Sequence, residues 1–305
     1  MSSKAKKLVS RIWRFFLLFG IVLACWAFIW EPSRLAEKTY ALTLPDWPAA
    51  CTDYHVAVVS DIHAGAPYIG LEKIDRIVAM IKKQKPDLVL LPGDFVIQEV
   101  PGGSFIAPET LATHLKPLLR DSKVYAVLGN HDAWLDSERV QRAIESADIP
   151  VLEDRVVNIV KGSCQFSLVG LSDYTEGKLE YRQAFAMVPQ NSPVIVFTHN
   201  PDVFPTLENP FALMIAGHTH GGQVSLPFLG RPVVPSRYGQ RYAIGHIVEN
   251  HRHLFVTPGI GTSILPVRFG VPPEISYLQL QSRQGNAPSI KVVCLPVKPR
   301  RNGQT

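Results

Sequence analysis

Cysteine is scarce in this chain, with four in 305 residues, at positions 25, 51, 164 and 294, and no close pair among them. That excludes a disulfide scaffold and a cysteine-rich zinc module. Internal repeats are absent, and so is any low-complexity tract beyond a basic tail at Lys298-Pro299-Arg300-Arg301. Charge is sparse as well, at 19% of residues against 46% hydrophobic, so a disordered or fibrous chain is excluded and a large core is available. The length allows one large domain or two ordinary ones. Net positive charge is missing from the body of the protein. Residues 1–38 hold seven basic and two acidic side chains, which accounts for the whole formal net charge of +5. From Thr39 onward there are 24 of each sign, and within that part residues 281–305 hold five basic and no acidic ones. The stretch 39–280 is therefore net negative. A nucleic-acid binder carries its positive charge on the folded body, so no nucleic-acid partner is expected.

What the sequence does have, first, is a long apolar run. Phe15 to Trp30 is sixteen residues without a charge or an amide. As a helix it is about 24 Å long, and Ile12 and Trp13 extend it while Arg14 snorkels toward the headgroups. Trp13, Trp26 and Trp30 supply aromatic anchors near its ends. Five basic residues precede the run, and only Arg34 and Lys38 follow closely. The expectation is a single-pass anchor, residues 15–30, behind a cytoplasmic leader, residues 1–14, with the rest of the chain on the outer face. The anchor is expected to stay uncleaved. Trp30-Glu31-Pro32 is too bulky for a signal-peptidase site, and Leu23 spoils a lipoprotein site at Cys25.

Residues 31–52, with Pro32, Pro45 and Pro48, read as a linker, 53–280 as the folded domain, and 281–305 as a basic tail. Within the domain, short β-branched runs alternate with helical patterns. Strands are expected at 55–59, 87–91, 123–128, 166–170, 194–198, 213–216, 254–257 and 275–280. Helices are expected at 71–84, where apolar residues recur at 71, 74, 77, 78 and 81, and at 136–147. Such alternation indicates an α/β domain with its functional loops at strand ends.

The residues just after those strands carry the chemistry. Asp61-Ile62-His63 follows the first, Gly93-Asp94 the second and Gly129-Asn130-His131-Asp132 the third. His199 follows Val194–Thr198, and Gly217-His218-Thr219-His220 follows Leu213–Ala216. Five strand ends thus bring three carboxylates, one amide and five imidazoles to one sheet edge. Seven or eight N and O donors suffice for two divalent cations, and a set without thiolates suits Mn, Fe, Zn or Mg. In D-x-H and H-x-H, alternate side chains return to one face of an extended chain. The glycines before Asp94, Asn130 and His218 are expected to permit sharp turns. Each block alone is common, and His114, His246, His251 and His253 read as surface or core residues. The ordered five-block set carries the signal.

That set resembles the calcineurin-like metallophosphoesterase superfamily over about residues 53–280. The finer resemblance is to its bacterial membrane-associated phosphodiesterase branch, through His199-Asn200-Pro201-Asp202, the extension Gly221-Gly222-Gln223, Gly259-Ile260-Gly261 and Arg268-Phe269-Gly270-Val271-Pro272-Pro273-Glu274. The resemblance implies a four-layered α/β/β/α sandwich with two metals at the shared edge of its sheets. By position it implies that Asp61, His63 and His220 hold the first metal, that Asn130, His199 and His218 hold the second, and that Asp94 bridges them. His131 corresponds to the histidine that meets the phosphate and the leaving group. Physical chemistry agrees: two cations neutralise a phosphodiester and make a hydrolytic water available near neutral pH, and a histidine at the rim can protonate the leaving oxygen. Asp132 could orient His131, but a helix cap is the preferred reading.

The expected function is a membrane-anchored, metal-dependent phosphoesterase of the bacterial inner membrane, acting on a phosphodiester or pyrophosphate bond of a lipid-linked substrate. An alternative is the UDP-2,3-diacylglucosamine pyrophosphatase of lipid A synthesis. Its substrate is made in the cytoplasm, whereas the charge pattern points the domain outward. An alternative of another class is a non-catalytic membrane-bound module that kept the fold, and the filled ligand positions count against it.

Overall fold

The computed structural model describes residues 3–98, 100–175 and 181–283, so the basic tail from residue 284 lies outside the described residues. Buried apolar strands form two sheets. The first has the order β1-β11-β2-β3-β4 and the second β5-β6-β7-β8-β10-β9. In the first, β1 (Ala36–Leu44), β2 (Tyr54–Val58), β3 (Leu88–Pro92) and β4 (Lys123–Val127) are joined by β11 (Glu274–Ser282), which pairs parallel to β1 and antiparallel to β2. The second comprises β5 (Arg155–Lys161), β6 (Cys164–Gly170), β7 (Val194–Phe197), β8 (Leu213–Ala216), β9 (Gly245–Glu249) and β10 (Arg252–Val256). Strands β3, β7 and β8 are buried at every residue, as their unbroken apolar runs require.

Three apolar clusters define four layers. Leu42, Val56, Leu88 and Leu278 of the first sheet pack against Phe166, Leu168, Ile195, Leu213 and Phe255 of the second. On the outer face of the first sheet lie α3 (Leu71–Gln84), α4 (Pro108–Leu115) and α5 (Asn130–Ser146). α3 buries Ile74, Ile77, Val78 and Ile81, the stripe read from its spacing, and each such side chain contributes roughly 1.5–3 kcal/mol. On the outer face of the second sheet lie α6 (Tyr181–Ala186) and a 3₁₀ turn at Pro201–Thr206. This is the expected α/β/β/α sandwich.

At the N-terminus, α1 (Ser3–Cys25) runs through a π-helical turn at Trp26–Trp30 into α2 (Glu31–Ser33). The segment Lys4–Ser33 is long and apolar enough to cross a membrane, and the rest of the protein covers almost none of it.

The stretch 31–52, expected as a linker, contributes structure. Residues 36–44 form edge strand β1, and Glu31 is buried, accepting hydrogen bonds from Val271 N and Trp26 Nε1, both at 2.6 Å. The helix expected at 136–147 begins six residues earlier, at Asn130. Asp136 interrupts the helical dihedrals and caps the second part, its Oδ1 accepting from Arg139 N at 3.0 Å.

One disulfide, Cys51–Cys164, joins residues 113 apart and links the turn before β2 to β6 across the space between the sheets. Trp47 and Tyr54 pack on Phe166 beside it, with ring centroids 5.0 and 5.1 Å apart. Closing so long a loop removes much unfolded-state entropy. The double variant Cys51→Ala/Cys164→Ala should lose about 2–4 kcal/mol in urea unfolding while keeping its metal content. An unchanged midpoint would show that the cross-link adds nothing to the packing already there.

Candidate metal centre

The C-terminal ends of β2, β3 and β4 in one sheet and of β7 and β8 in the other meet at one edge, and every site residue expected from the sequence is found there. Asp61 and His63 follow β2, Asp94 follows β3, Asn130 and His131 open α5, His199 follows β7, and His218 and His220 follow β8. Asp61, His63, Asp94, His199 and His220 are buried, as are Asn130 and His131, while His218 is partly exposed. Asp61, His63, Asp94, His218 and His220 all adopt positive φ, between 47° and 68°. Non-glycine residues rarely do so, and each costs on the order of 1–3 kcal/mol, a strain that concentrates at functional sites.

The glycines work in two ways. Gly93 turns at φ +78°, as expected. Gly129 has an ordinary φ of −114° and makes room instead, since a Cβ there would collide with Asp94 Oδ1.

Two donor groups share one carboxylate. Asp61, His63, Asp94 and His220 form one group and Asp94, His199 and His218 the other, with the ligand atoms of each within 4.8 Å of one another. Asp94 Oδ2 lies 3.5 Å from His63 Nε2 and 3.3 Å from His199 Nε2, between the two groups. Its other oxygen, Oδ1, accepts from His131 N at 2.9 Å. Asn130 Oδ1 lies 3.1 Å from His199 Nε2, which brings the amide into the second group.

The donor chemistry fits cations. His63 Nδ1 meets the carbonyl of Val96 at 3.2 Å, which directs its Nε2 lone pair toward His220 Nε2, 3.1 Å away. His199 Nδ1 meets the carbonyl of Pro92 at 2.7 Å, so its Nε2 lone pair faces Asn130 Oδ1 and Asp94. His218 Nδ1 is 3.1 Å from the same nitrogen. Nitrogen and oxygen donor atoms thus converge at two neighbouring points. A cation held at each point would satisfy several of them at once.

The ionisation behaviour follows from the same crowding. Burial pushes His63 down to about 3 and His218 down to about 4, the latter helped by His199. Burial, with His63 next in weight, holds His220 well below its ordinary value. Burial alone would lower His199 too, but Asp94, then Asp61, raise it well above normal. Burial would likewise raise Asp94, yet His199, then His63 and His131, hold it well below the usual carboxylate range. Burial lifts Asp61 to about 6 despite the opposing field of His199. Burial thus disfavours the protonated form of His63, His218 and His220 and leaves the neutral one, in which an imidazole offers a lone pair to a cation, whereas Asp94 favours positive charge at His199.

His131 stands beside this cluster. Its ring packs edge-on to His63 at 4.7 Å and against Trp134 at 4.4 Å. Nδ1 lies 3.3 Å from Gln98 Oε1 and Nε2 lies 3.3 Å from Ser263 Oγ, two neighbours that no sequence signal marked. Asp132 is a cap, as preferred. Oδ2 accepts from Gly129 N at 2.9 Å, while Oδ1 accepts from Phe95 N and Val96 N at 2.9 and 3.2 Å, tying the Asp94 loop to the start of α5. Burial, then Asp94, lifts its carboxyl to about 7 against those donors.

The late motifs support the first donor group. Ile260 N and Gly261 N donate to the carbonyls of Ser60 and Asp61 at 3.1 and 2.6 Å. Arg268, fully buried, directs its guanidinium to the carbonyls of Pro258, Gly261 and Val271 and so holds that loop down.

A four-layered sandwich with two donor groups sharing a carboxylate at the common sheet edge defines a metal-dependent phosphoric ester hydrolase. The chain belongs to the calcineurin-like phosphoesterase family, whose model matches residues 54–222. It is 32% identical over 231 residues to phosphodiesterase YaeI of Escherichia coli (strain K12), covering 74% of this chain and 82% of that one. It is 28% identical to the uncharacterized metallophosphoesterase YkuE of Bacillus subtilis (strain 168), over 83% of this chain and 87% of that one. It is also 25% identical to UDP-2,3-diacylglucosamine pyrophosphatase LpxG of Chlamydia trachomatis, over 83% of this chain and 92% of that one. The family uses two divalent metals, and the two donor groups match that number.

Replacing the shared carboxylate and replacing the rim histidine should have different effects. Asp94→Asn removes the only charge common to both groups and should cost both metals, read by elemental analysis, with the fold retained by circular dichroism. His131→Ala should keep near-parental metal and lose about 10²–10⁴-fold in turnover. Metal loss of equal extent in both variants would make His131 a ligand or a support.

Proposed function

We propose that this chain is a membrane-anchored phosphodiesterase on the outer face of the bacterial inner membrane, hydrolysing a phosphodiester or pyrophosphate bond in a lipid-linked substrate. The observation that carries the reaction class is the position of Asp94 Oδ2 between His63 and His199, each within 3.5 Å. In this reading Asp61, His63 and His220 hold one cation, Asn130, His199 and His218 hold the other, and Asp94 belongs to both. When bound, such a pair neutralises the phosphoryl oxygens and supplies the hydrolytic nucleophile near neutral pH.

The remaining work falls to the chain. Gln98 Oε1 favours a proton at His131 Nδ1, so Nε2, facing Ser263, is the atom that takes up a second proton and, from the imidazolium, gives it to the leaving oxygen. Burial lowers the His131 pKa, with Asp94 opposing it. Asp132 and Arg268 fix the loops that carry these groups.

Two independent features support the outer face. One is the basic leader ahead of the apolar helix. The other is the buried Cys51–Cys164 disulfide, a cross-link that persists in oxidising compartments. A second reading, cleavage of UDP-2,3-diacylglucosamine, draws on the similarity to LpxG. The same disulfide weighs against it, since that nucleotide is made in the cytoplasm.

Full-length protein in detergent should hydrolyse a bis-nitrophenyl phosphodiester in a metal-dependent way and faster than the corresponding monoester. Rates no higher than those of a chelator-treated sample, on phosphomonoesters, phosphodiesters and pyrophosphates alike, would reject the reaction class. On intact spheroplasts, added protease should digest the domain. Full protection would move the site to the cytoplasmic face and favour the UDP-diacylglucosamine reading.

A further inference from the structure

No stretch of free chain separates the apolar helix from the folded body. The carbonyl of Ala27 accepts from Arg268 N at 2.9 Å, and the carbonyl of Phe28 accepts from Tyr68 OH at 3.0 Å. Both carbonyls belong to the apolar run Phe15–Trp30, three and two residues before its end. At 1.5 Å per residue, two loops of the body touch the helix within about 5 Å of the last apolar residue. Further along, Lys73 Nζ donates to the carbonyls of Ser33 and Arg34 at 2.6 and 2.8 Å, so the helix end is held on several sides.

The loops it touches are those of the metal centre. Tyr68 lies five residues beyond His63. Arg268 clamps the loop that rests on Ser60 and Asp61, and Ser263 in the same segment meets His131. That segment is tied to the loop after His220: Ser263 N donates to Gln223 Oε1 at 2.7 Å, Phe269 N to the Gln223 carbonyl at 2.9 Å, and Ser225 N to the Phe269 carbonyl at 2.7 Å.

Large apolar side chains project from these joined loops. Ile264 is 78% exposed, Leu265 50% and Leu229 73%, and Phe228 is wholly exposed. Ile264 and Phe228 also adopt positive φ, 65° and 66°. A β-branched residue in that region is an outlier, and water offers an isoleucine there no compensation. An apolar phase would.

We propose that the Gln223–Leu229 and Ser263–Leu265 loops seat in the interfacial layer of the phospholipid bilayer that the N-terminal helix enters, so that the metal-bearing edge faces the headgroups. The proposal rests on the anchor reading above and extends it from a tether to a fixed orientation. Trp26 and Trp30 at the helix end belong at the same depth, where amphipathic aromatics settle. A phosphoester carried on a lipid then meets the centre without leaving the membrane plane, while the exposed apolar loops are covered by lipid rather than water.

The test uses the full chain with Cys25→Ser and Cys294→Ser, reconstituted into vesicles of phosphatidylcholine and phosphatidylglycerol. Nitroxide labels are placed at Leu229→Cys or Ile264→Cys, with a control at Val160→Cys on exposed edge strand β5, at the end remote from the site. Labels at 229 and 264 should relax more with oxygen than with a water-soluble nickel chelate, and the label at 160 should do the reverse. Equal or greater access to the nickel chelate at 229 and 264 would overturn the proposal. So would shielding from both reagents, which would instead mean a protein contact such as a second copy. Vesicle flotation, read on the same samples, isolates the underlying reading. Protein that fails to float refutes the anchor, whereas protein that floats with labels in water refutes the seating of the loops alone.

Discussion

A carboxylate oxygen buried between imidazoles of two different sheets sets the terms for the rest of the molecule. Asp94 is 1% exposed, and an ionised carboxyl taken from water costs several kcal/mol unless opposite charge or hydrogen bonds meet it. His131 N satisfies one oxygen, and the other lies within 3.5 Å of His63 and His199, one from each donor group. To hold that arrangement, five residues of the two donor groups sit at positive φ, Arg268 is buried among carbonyls, and Asp132 fastens two loops together. The apolar clusters on both faces of both sheets offset this local cost.

The N-terminal segment takes part in this construction. Glu31 braces Val271, β1 extends the first sheet along β11, and Lys38 pairs with buried Glu274 at 2.6 Å. Through Val271 and Arg268 the helix end connects to the loop resting on Asp61. Position relative to the helix and position of the donor groups are therefore fixed by the same contacts.

The interior of the fold was legible in the sequence, as was the edge strand β4, and its other borders were not. β3, β7 and β8 read clearly because a strand buried on both faces must be apolar throughout. β1, β5 and β9 were missed, and all three are sheet edges whose exposed or half-buried positions interrupt the pattern with Lys38, Thr39, Arg155, Asn158 and Glu249. The α5 start was missed because Asn130 and His131 carry chemistry rather than an apolar stripe. All eight candidate site residues were legible because each immediately follows an apolar run. Gln98 and Ser263 lie in irregular loops and reach His131 only through the tertiary fold. Cys51 and Cys164 gave no signal because 113 residues separate them.

The pairing of β1 with β11, with Ala36 opposite Glu274, governs the order in which the molecule can assemble. The first strand made waits for the last strand described, and β2 can acquire its antiparallel neighbour only when that strand arrives. The second sheet, β5 to β10, is complete in the chain before the first can close. Contacts of such sequence separation make folding slow and leave strand edges open while it proceeds. A ribosome-bound chain halted before residue 274 would hold a finished second sheet beside an unfinished first one. The first sheet, which carries Asp61, His63 and Asp94, would then close only once β11 joins β1 and β2.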